Sequence, residues 1–376
     1  MVAMKSADFA RKRESEKRME RFDAGLLRRK CEEIFLRAGV PEKDAGIISE
    51  TLTTTDMRGV HSHGVVRCAR YIECLHSGGI RADAEPVLIG EASGVLRFSA
   101  DGGLGIPASV KVADRLIERA ANLPIAVATV NHSDHFGAAG YYTMRGADAG
   151  LVMFCMSNTV PLLAAPGGRA AVIGNNPFAY SAPGKKYRAL LFDICMSKVA
   201  SGKIEIAAKE GRAIPEDWIL NSKGVPTTDP QDIYRNGIML PFAEHKGYGF
   251  AVMVELLTGI LGDAGLLSGV HSWNRRPGRD ADTGHCFIAL NPEFFGGSAY
   301  FRSRVDAMID ELKRSPVQEG QRVLYPGELE LERELDARQN GIPLPDASVR
   351  ELKRAAELTH VSLNLEQLKT DQKEEI

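Results

Sequence analysis

The sequence predicts a mixed α/β protein with two domains. Its 376 residues correspond to two domains at about 100–200 residues each. Apolar side chains recur at helical spacing from Phe22 to about residue 80, whereas short apolar runs typical of strands alternate with helical segments from residue 86 onward. That alternation indicates a buried sheet with helices packed against it.

The first predicted domain is helical. Residues 1–21 are highly charged and poor in large apolar side chains, which predicts either a frayed tail or a solvated first helix. Amphipathic spacing then predicts helices over 22–39, 41–55 and 65–76. We assign residues 22–85 to the first part of a helical domain.

The second predicted domain, residues 86–299, carries the sheet. Apolar runs predict strands at 87–89, 94–98, 125–130, 151–157, 189–194 and 286–290. Helical spacing predicts helices over 106–122, 137–149 and 247–262. Residues 300–376 read as helical again, and we expect them to pack with the N-terminal helices as one discontinuous helical domain.

Composition excludes several classes of function. Lys and Arg total 47 against 49 Asp and Glu, a net charge of −2, so the positive field that nucleic acid requires is missing. No stretch approaches the roughly 18 apolar residues of a membrane-spanning helix. The six cysteines lack a CxxC spacing and the N-terminus lacks a secretory pattern, so we expect reduced thiols in a cytoplasmic protein.

One glycine-rich segment resembles a dinucleotide loop. Gly103-Leu-Gly105-Ile-Pro-Ala108 fits G-x-G-x-x-A before a predicted helix. The run before it is polar, Pro107 lacks an amide proton, and no apolar strand ends in an acid about 20 residues further on. An ordinary turn into a helix is therefore favoured.

Two close pairs of histidines suggest either metal binding or proton transfer. His61 and His63 form the first pair, and His132 and His135 the second. Four imidazoles are able to ligate zinc, but no cysteine or carboxylate pair completes a familiar zinc spacing. We favour histidines that titrate or bind substrate, and we predict no metal.

His63, Arg67 and Tyr71 are spaced by four residues. On a helix they share one face, where a guanidinium grips a carboxylate while the imidazole moves a proton. The alternative is a solvated helix face.

Lys246 precedes Gly247 at the start of an apolar helix, an arrangement that suits a phosphate. The alternative is a glycine-rich helix cap beside an exposed lysine. Asp193 ends an apolar strand, where it either holds a ribose hydroxyl or caps the next segment.

Seven segments together identify a family. They occur in the order DMRGVHSHGVVR (56–67), NHSDHFGAAGYY (131–142), GNNPFAYSAP (174–183), FDICMSKVASGKI (192–204), GVPTTDP (224–230), HKGYGFAVMVELLTGILG (245–262) and YPGELE (325–330). In this order they resemble the type-2 malate/L-lactate dehydrogenase family over residues 24–345. The resemblance implies a non-Rossmann nicotinamide-binding domain with a mostly antiparallel mixed sheet, a discontinuous helical domain, and a homodimer or larger oligomer with its active site near the subunit interface.

The resemblance also implies an activity. We expect an NAD(P)-dependent oxidoreductase that transfers a hydride between nicotinamide and a small 2-hydroxy or 2-oxo acid of the malate, lactate, ureidoglycolate or sulfolactate type. One alternative is an NAD(P)H-dependent reductase of a cyclic imino acid. Alternatives of other classes are a metal-dependent hydrolase built on the four histidines and a non-catalytic dinucleotide sensor.

The resemblance carries roles to individual residues. His135 is expected to transfer the proton, with His63 as the alternative, and Ser62, Arg67 and Tyr71 are expected to bind the substrate. If His135 transfers the proton, His63 pairs with Arg67 at the substrate carboxylate. The residues expected to line the cofactor are Ser157, Asn176, Pro177, Asp193, Ile194, Cys195, Lys246, Gly327 and Glu328.

This chain departs from many relatives beside the predicted cofactor cleft. Glu244 and His245 replace small residues, and Ile194-Cys195 replaces a common Met-Ala pair. Glu244 disfavours a 2′-phosphate if it points inward, so we expect NAD, with NADP the alternative.

Overall fold

The computed structural model describes residues 19–370. Residues 1–18 and 371–376 lie outside the described part, so most of the predicted tail and the last residues of the predicted C-terminal domain stay predictions. At the start of the described part, strand β1 (Arg21–Phe22) pairs antiparallel with Ile342–Pro343. This pairing joins the N-terminal region to the C-terminal region.

Helices occupy both ends of the described chain and flank its central sheet. Asp23 caps the first of them by accepting the Leu26 amide at 2.8 Å. The α-helices within residues 19–370 are α1 (Ala24–Arg37), α2 (Glu42–Met57), α3 (Cys68–His76), α4 (Gly105–Ala120), α5 (Ala139–Asp148), α6 (Ser201–Glu210), α7 (His245–Glu255), α8 (Ser298–Lys313), α9 (Glu328–Asn340) and α10 (Asp346–Leu358).

The remaining strands form one large sheet and one small sheet. Their bounds are β2 (Val87–Ala92), β3 (Val95–Ser99), β4 (Ile125–Ser133), β5 (Val152–Ser157), β6 (Leu163–Ala164), β7 (Ala171–Ile173), β8 (Phe178–Pro183), β9 (Ala189–Ile194), β10 (Ile219–Leu220), β11 (Ile238–Met239), β12 (Thr283–Leu290) and β13 (Ile342–Pro343). The large sheet has the order β2-β3-β4-β12-β5-β8-β9, and the small one β10-β11-β6-β7.

The seven-stranded sheet is mixed and mostly antiparallel. Its only parallel pair within the described residues is β3 with β4, and the other five neighbouring pairs are antiparallel. This confirms the expected mixed α/β fold. The sheet therefore differs from the mostly parallel sheet of a doubly wound dinucleotide fold.

Helices cover both faces of this sheet. Alternate residues of a strand point to opposite faces, and here Cys155 packs on the side of α4 and α5 whereas Met156 packs on the side of α6 and α7. Neither α6 nor β8 was predicted from the sequence. The predicted helix over 247–262 corresponds to α7, extended by one π-helical turn at Leu256–Ile260.

The N-terminal and C-terminal helices share one hydrophobic core. Leu27 of α1, Ile48 of α2 and Leu352 of α10 are fully buried in the same cluster. In contrast to the expectation for everything after residue 300, α8 packs against the sheet, because Val305 and Ile309 join a cluster with strand residues. The domain boundaries themselves stay predictions.

The glycine-rich segment at 103–108 is packed against the chain rather than open to a ligand. Helix α4 begins at Gly105, and a Cβ atom there would lie 2.2 Å from the Asp134 carbonyl oxygen. Residues 103–108 are all buried. The segment is thus the turn into α4, and it has no room for a phosphate. Within residues 19–370, no helix has the length and apolar character needed to cross a membrane.

Candidate active site

Many of the predicted site residues lie along one edge of the large sheet, the edge formed by the ends of its strands. Strands β4, β12, β5, β8 and β9 are antiparallel neighbours, so the ends of β4, β5 and β9 lie beside the starts of β12 and β8. His135 follows β4, Ser157 ends β5, Pro177 precedes β8, and Ile194 ends β9. Four strand spacings of roughly 4.8 Å make this edge about 19 Å wide.

The segment that carries His63 is fixed from below by Asp56. This carboxylate is fully buried, contacts His61 Nδ1 at 2.8 Å, and accepts the Val65 amide at 2.7 Å. A Cβ atom at Gly64 would lie 2.1 Å from the carboxylate, so the backbone passes directly over it. His61 therefore belongs to the support of the segment.

The predicted helix over 65–76 begins later than expected. Two 3₁₀ turns, His61–His63 and Val65–Arg67, precede α3. The Val65 amide bonds the Asp56 side chain, and Gly64 adopts an extended conformation that interrupts the helix. His63 and Tyr71 therefore do not lie on a continuous α-helical face, although both reach the same site.

The two predicted catalytic imidazoles lie against each other. The ring centroids of His63 and His135 are 5.5 Å apart, with 15° between the planes. Tyr71 Oη lies 2.6 Å from His135 Nδ1, and Ser62 Oγ lies 2.8 Å from His63 Nδ1. Since Nδ1 of each ring has a hydroxyl partner, Nε2 is the nitrogen left for a substrate among the described contacts.

Burial favours the neutral form of both rings. Burial, helped by the positive charge of Arg67, lowers the pKa of His63 to about 3. Burial also holds the pKa of His135 well below its usual value, with further contributions from His63, Arg67 and His285. An anionic ligand beside Arg67 would oppose this charge repulsion and favour a protonated ring.

Arg67 is placed to bind an anion at this pair. Its Nε donates to the Ser62 carbonyl oxygen at 2.6 Å, and Cζ lies 5.8 Å from the Trp273 ring centroid. The described contacts engage only Nε by hydrogen bonding, so the terminal nitrogens remain for a ligand. The structure thus brings together all five residues predicted for catalysis and substrate binding.

Two residues of this site were missed in the sequence. Trp273 stacks on His135 with centroids 4.3 Å apart and 16° between the planes. It comes from an irregular segment with no motif, so no local signal identifies it. Asp134 is buried and accepts the His135 amide at 2.6 Å, and burial raises its pKa to about 7.

A buried histidine, His285, supports the same sheet edge. Its Nδ1 lies 2.9 Å from Ser157 Oγ and its Nε2 lies 2.8 Å from Ser133 Oγ, while burial lowers its pKa to about 3. Ser157 Oγ donates to the Asn158 carbonyl oxygen at 3.0 Å, so the network assigns the proton of His285 to Nδ1. The Ser157 side chain, predicted to line the cofactor, is thus engaged in holding β12 to β4 and β5.

Asn176 fixes the start of β8 to helix α7. Its buried amide donates to the Ala251 carbonyl oxygen and to Glu255 Oε2, both at 2.9 Å, and accepts the Thr159 amide at 3.0 Å. Pro177 also contributes through its backbone, since its carbonyl accepts the Ser157 amide at 3.2 Å. Asn176 therefore orients the helix that begins near Lys246.

Lys246 is exposed in the first turn of α7. The preceding Glu244 is also exposed and has a positive φ of 52°. Lys246 thus combines a free positive charge with the partial positive charge of a helix N-terminus, the pair of features that favours a phosphate.

The remaining predicted cofactor residues lie on different faces of the sheet. Asp193 accepts the Gly140 amide of α5 at 2.7 Å, and a Cβ atom at Gly327 would lie 2.6 Å from Leu191 on the same side. Glu328 is buried, where it contacts Lys313 and accepts the Tyr325 amide at 3.2 Å. In contrast, Ile194 packs with the core beneath α6 and α7.

Cys195 follows Ile194 on the way into α6. It is half-buried, with Sγ 3.1 Å from Ser197 Oγ. All six cysteines lie in the described part of the chain and none forms a disulfide.

The four histidines considered as a metal site are separated in the structure. His61 pairs with Asp56, and His132 Nδ1 lies 3.0 Å from Asp282 Oδ1 at the surface. Across residues 19–370, no three His, Cys, Asp or Glu side chains are grouped as metal ligands. The geometry favours the interpretation in which His63 and His135 act on a substrate.

Comparison with known proteins identifies the class of enzyme. Residues 22–353 match the family profile described as malate/L-lactate dehydrogenase, so the chain belongs to this family of dehydrogenases and reductases.

Individual relatives span several substrates. The chain is 36% identical to a malate dehydrogenase of Pyrococcus abyssi, covering 75% of this chain and 79% of that protein. It is 31% identical to a Delta(1)-pyrroline-2-carboxylate/Delta(1)-piperideine-2-carboxylate reductase of Pseudomonas putida, covering 85% and 92%. The solved structure of sulfolactate dehydrogenase from Methanocaldococcus jannaschii superposes with a TM-score of 0.85 at 31% identity, covering 93% of this chain and 99% of that one.

Proposed function

We propose that this protein transfers a hydride between a nicotinamide cofactor and a small 2-hydroxy or 2-oxo acid, with His135 as the proton donor and acceptor. The observation that carries the proposal is the contact between His63 and His135, whose rings stack at 5.5 Å beside Arg67 and Tyr71. The reaction needs a group that binds the carboxylate, a group that transfers the proton, and a group that orients the proton-transferring ring. All three lie within this one cluster.

Tyr71 allows His135 to work in both directions. Its hydroxyl is able to donate to or accept from Nδ1 at 2.6 Å, so it stabilises either protonation state of the ring. In reduction, His135 gives its Nε2 proton to the developing alkoxide. In oxidation, Nε2 accepts the proton of the substrate hydroxyl.

Arg67 binds the carboxylate of the substrate in this proposal. A guanidinium is suited to two parallel hydrogen bonds with a carboxylate. His63, oriented by Ser62 at 2.8 Å, then hydrogen-bonds the substrate next to the reacting carbon. The charge of the bound carboxylate offsets the repulsion from Arg67 that lowers the pKa of both imidazoles.

The donor set along the sheet edge fits a dinucleotide. Lys246 and the N-terminus of α7 suit the phosphates. Asp193 lies at the end of β9, and its carboxylate, which accepts the Gly140 amide through one oxygen, suits a ribose hydroxyl. Asn176 would act indirectly, by holding α7 in place through Ala251 and Glu255. When bound, nicotinamide supplies or accepts the hydride, while the chain positions the substrate and moves the proton.

We propose NAD as the preferred cofactor. Glu244 is exposed beside Lys246 at the start of α7, where its charge repels a 2′-phosphate. Replacing Glu244 with Gln is expected to improve the use of NADPH relative to NADH by a fewfold. A ratio that stays constant would remove Glu244 from cofactor selection.

The decisive experiment is a screen of NADH oxidation against malate-, lactate-, sulfolactate- and ureidoglycolate-type 2-oxo acids, with cyclic imino acids and NADPH in parallel arms. We expect turnover with at least one 2-oxo acid. Turnover with cyclic imino acids alone would contradict the proposed 2-oxo-acid substrate and favour a reductase of cyclic imino acids, like the Pseudomonas relative. Tight NADH binding without turnover in any arm would favour a sensor, and hydrolysis abolished by a chelator would favour a metal enzyme.

We also propose a homodimer in the cytoplasm. Leu256, Ile260 and Leu261 expose apolar side chains along one continuous stretch, a surface typical of protein contacts. Light scattering after gel filtration would measure the mass, and a monomer would contradict the proposal.

A further inference from the structure

Trp273 reaches the active site from a long irregular segment. Residues 261–282 connect the end of the π-helical turn to β12, and their only regular element is the 3₁₀ turn Leu267–Gly269. Long segments without regular structure inside compact domains usually serve a function. Trp273 is nonetheless only 9% exposed, so this part of the segment is packed rather than loose.

The segment is docked onto the end of α3. The Trp273 carbonyl oxygen accepts from Cys74 Sγ at 3.6 Å. A Cβ atom at Gly79 would lie 2.0 Å from the Pro277 carbonyl oxygen, so the two backbones are in direct contact. Trp273 is therefore held by α3, the same helix that carries Tyr71.

Each aromatic contact of Trp273 involves a residue of the site. It stacks on His135 at 4.3 Å, lies 5.2 Å from Tyr71, and has Arg67 Cζ 5.8 Å from its centroid. The Tyr71 hydrogen bond therefore holds Nδ1 of His135. The indole, whose centroid is closer to the imidazole than that of His63 is, holds the plane of the ring. An indole face also attracts a cation, so it favours the imidazolium over the neutral ring.

We propose that Trp273 is a positioning residue for proton transfer, which holds the plane of His135 and raises its proton affinity. This inference rests on the proposed function of His135. Arg67 keeps its bond to the Ser62 carbonyl without Trp273, so substrate binding is expected to change less than turnover.

The test compares Trp273→Leu, which keeps an apolar side chain but loses the ring, with Trp273→Phe, which keeps a ring. Trp273→Leu is expected to lower kcat about tenfold and KM for the 2-oxo acid to change less than threefold. The alkaline limb of the kcat profile for reduction is expected to move to lower pH, because the proton affinity of His135 falls about two- to thirtyfold. Trp273→Phe is expected to retain most of kcat and the wild-type profile.

Trp218 provides the matched control, since the chain has two tryptophans and Trp218 packs in the separate core beneath α6 and α7. Trp218→Phe is expected to leave kcat and its pH profile unchanged. Wild-type kcat in Trp273→Leu would overturn the inference, as would equal losses in the Leu and Phe variants with an unmoved pH profile. If Trp273→Leu fails to fold, Trp273→Met takes its place in the comparison.

A fluorescence measurement separates this inference from the proposed function. In Trp218→Phe the emission comes from Trp273 alone, and acrylamide is expected to quench it weakly. Replacing His135 with Ala in that background is expected to raise the quenching constant at least twofold, because one face of the indole becomes open. An unchanged constant would overturn the stack whatever the activity, whereas a changed constant with no turnover on any substrate would count against the proposed function alone.

Discussion

The substrate end and the proposed cofactor end of the sheet edge are built in different ways. At the substrate end, side chains from two short sequence segments meet through direct contacts, as in the Tyr71–His135 hydrogen bond of 2.6 Å and the His63–His135 stack at 5.5 Å. At the cofactor end, Asp193 and Ile194 face opposite layers, and Asn176 and Glu328 are buried in internal bonds. The substrate end is therefore formed by side chains that contact one another directly. At the cofactor end, most of the predicted residues hold the backbone and the neighbouring elements in place.

The largest expected effect is the loss of kcat when a residue at the substrate end is removed. His135→Ala is expected to lower kcat about 10²–10⁴-fold, the usual contribution of a positioned acid or base. Steady-state kinetics with the best 2-oxo acid would measure it. His132→Ala is the matched control, because that ring lies three residues away and pairs with Asp282. If kcat stays unchanged in His135→Ala, the proton-transfer role moves to His63.

The second effect concerns how the helical region is attached to the sheet. Glu334 of α9 is buried and pairs with Arg58, Arg338 and Arg188 at 2.8, 2.8 and 3.1 Å. Burial alone would raise the pKa of Glu334, but the arginines outweigh it and lower the pKa to about 2.

Because the pKa of Glu334 lies below the roughly 4.3 of an unfolded glutamate, its contribution is complete above that pH and is lost as the pH falls toward 2. Glu334→Gln is expected to cost about 3–5 kcal/mol in the free energy of unfolding at pH 7. Urea unfolding at pH 7 and pH 3 would measure this cost, which should shrink at the lower pH. A cost independent of pH would show that the charge is not responsible.

A third substitution sharpens the role of the anion clamp. Arg67→Lys is expected to raise KM for a carboxylate substrate about tenfold, since the planar fork is lost while the charge remains. Arg70→Lys serves as the control, because Arg70 lies three residues further along the chain and is paired with Glu73 at 2.7 Å. An unchanged KM, together with no gain for an uncharged ketone, would exclude Arg67 as the carboxylate ligand.

The smallest effect tests the cofactor end. Lys246→Ala is expected to raise KM for NADH about two- to fivefold, the size expected for an exposed charge, and to reduce the salt dependence of that KM. Lys203→Ala, in the first turn of α6, is the matched control. Should both variants behave alike, the effect of Lys246 would be general electrostatics rather than contact with a phosphate.

The sequence predicted most of the fold because the periodic patterns are strong. The strand at 125–130 and the helix at 106–122 appear as β4 and α4 with shifted ends. Strand β8 was missed because FAYSAP mixes polar residues with a proline, and α6 because it begins with Ser201 and Gly202, two weak helix formers. These elements form because the neighbouring strand and core cover them, which a local pattern does not encode.

The sequence correctly predicted that three residues of the site lie close together, but the predicted reason, a shared helix face, was wrong. Spacing placed His63, Arg67 and Tyr71 on one helix, whereas the segment before Cys68 consists of 3₁₀ turns held by Asp56. The residues meet nevertheless, because Asp56 folds the segment back over α2. Trp273 had no local signal, since its contact with His135 spans 138 residues of sequence and depends on how the 261–282 segment docks.

Gly105 shows that a nucleotide-like glycine pattern has a second physical origin. The smallest side chain added there would collide with the Asp134 carbonyl oxygen and, at 2.7 Å, with that of His135. The first turn of α4 therefore packs directly against the backbone of the residue proposed to transfer the proton. Gly105 lies thirty residues from His135 in the sequence, yet a larger side chain there would displace the His135 imidazole. A substitution in this turn would therefore lower catalysis without contacting substrate or coenzyme.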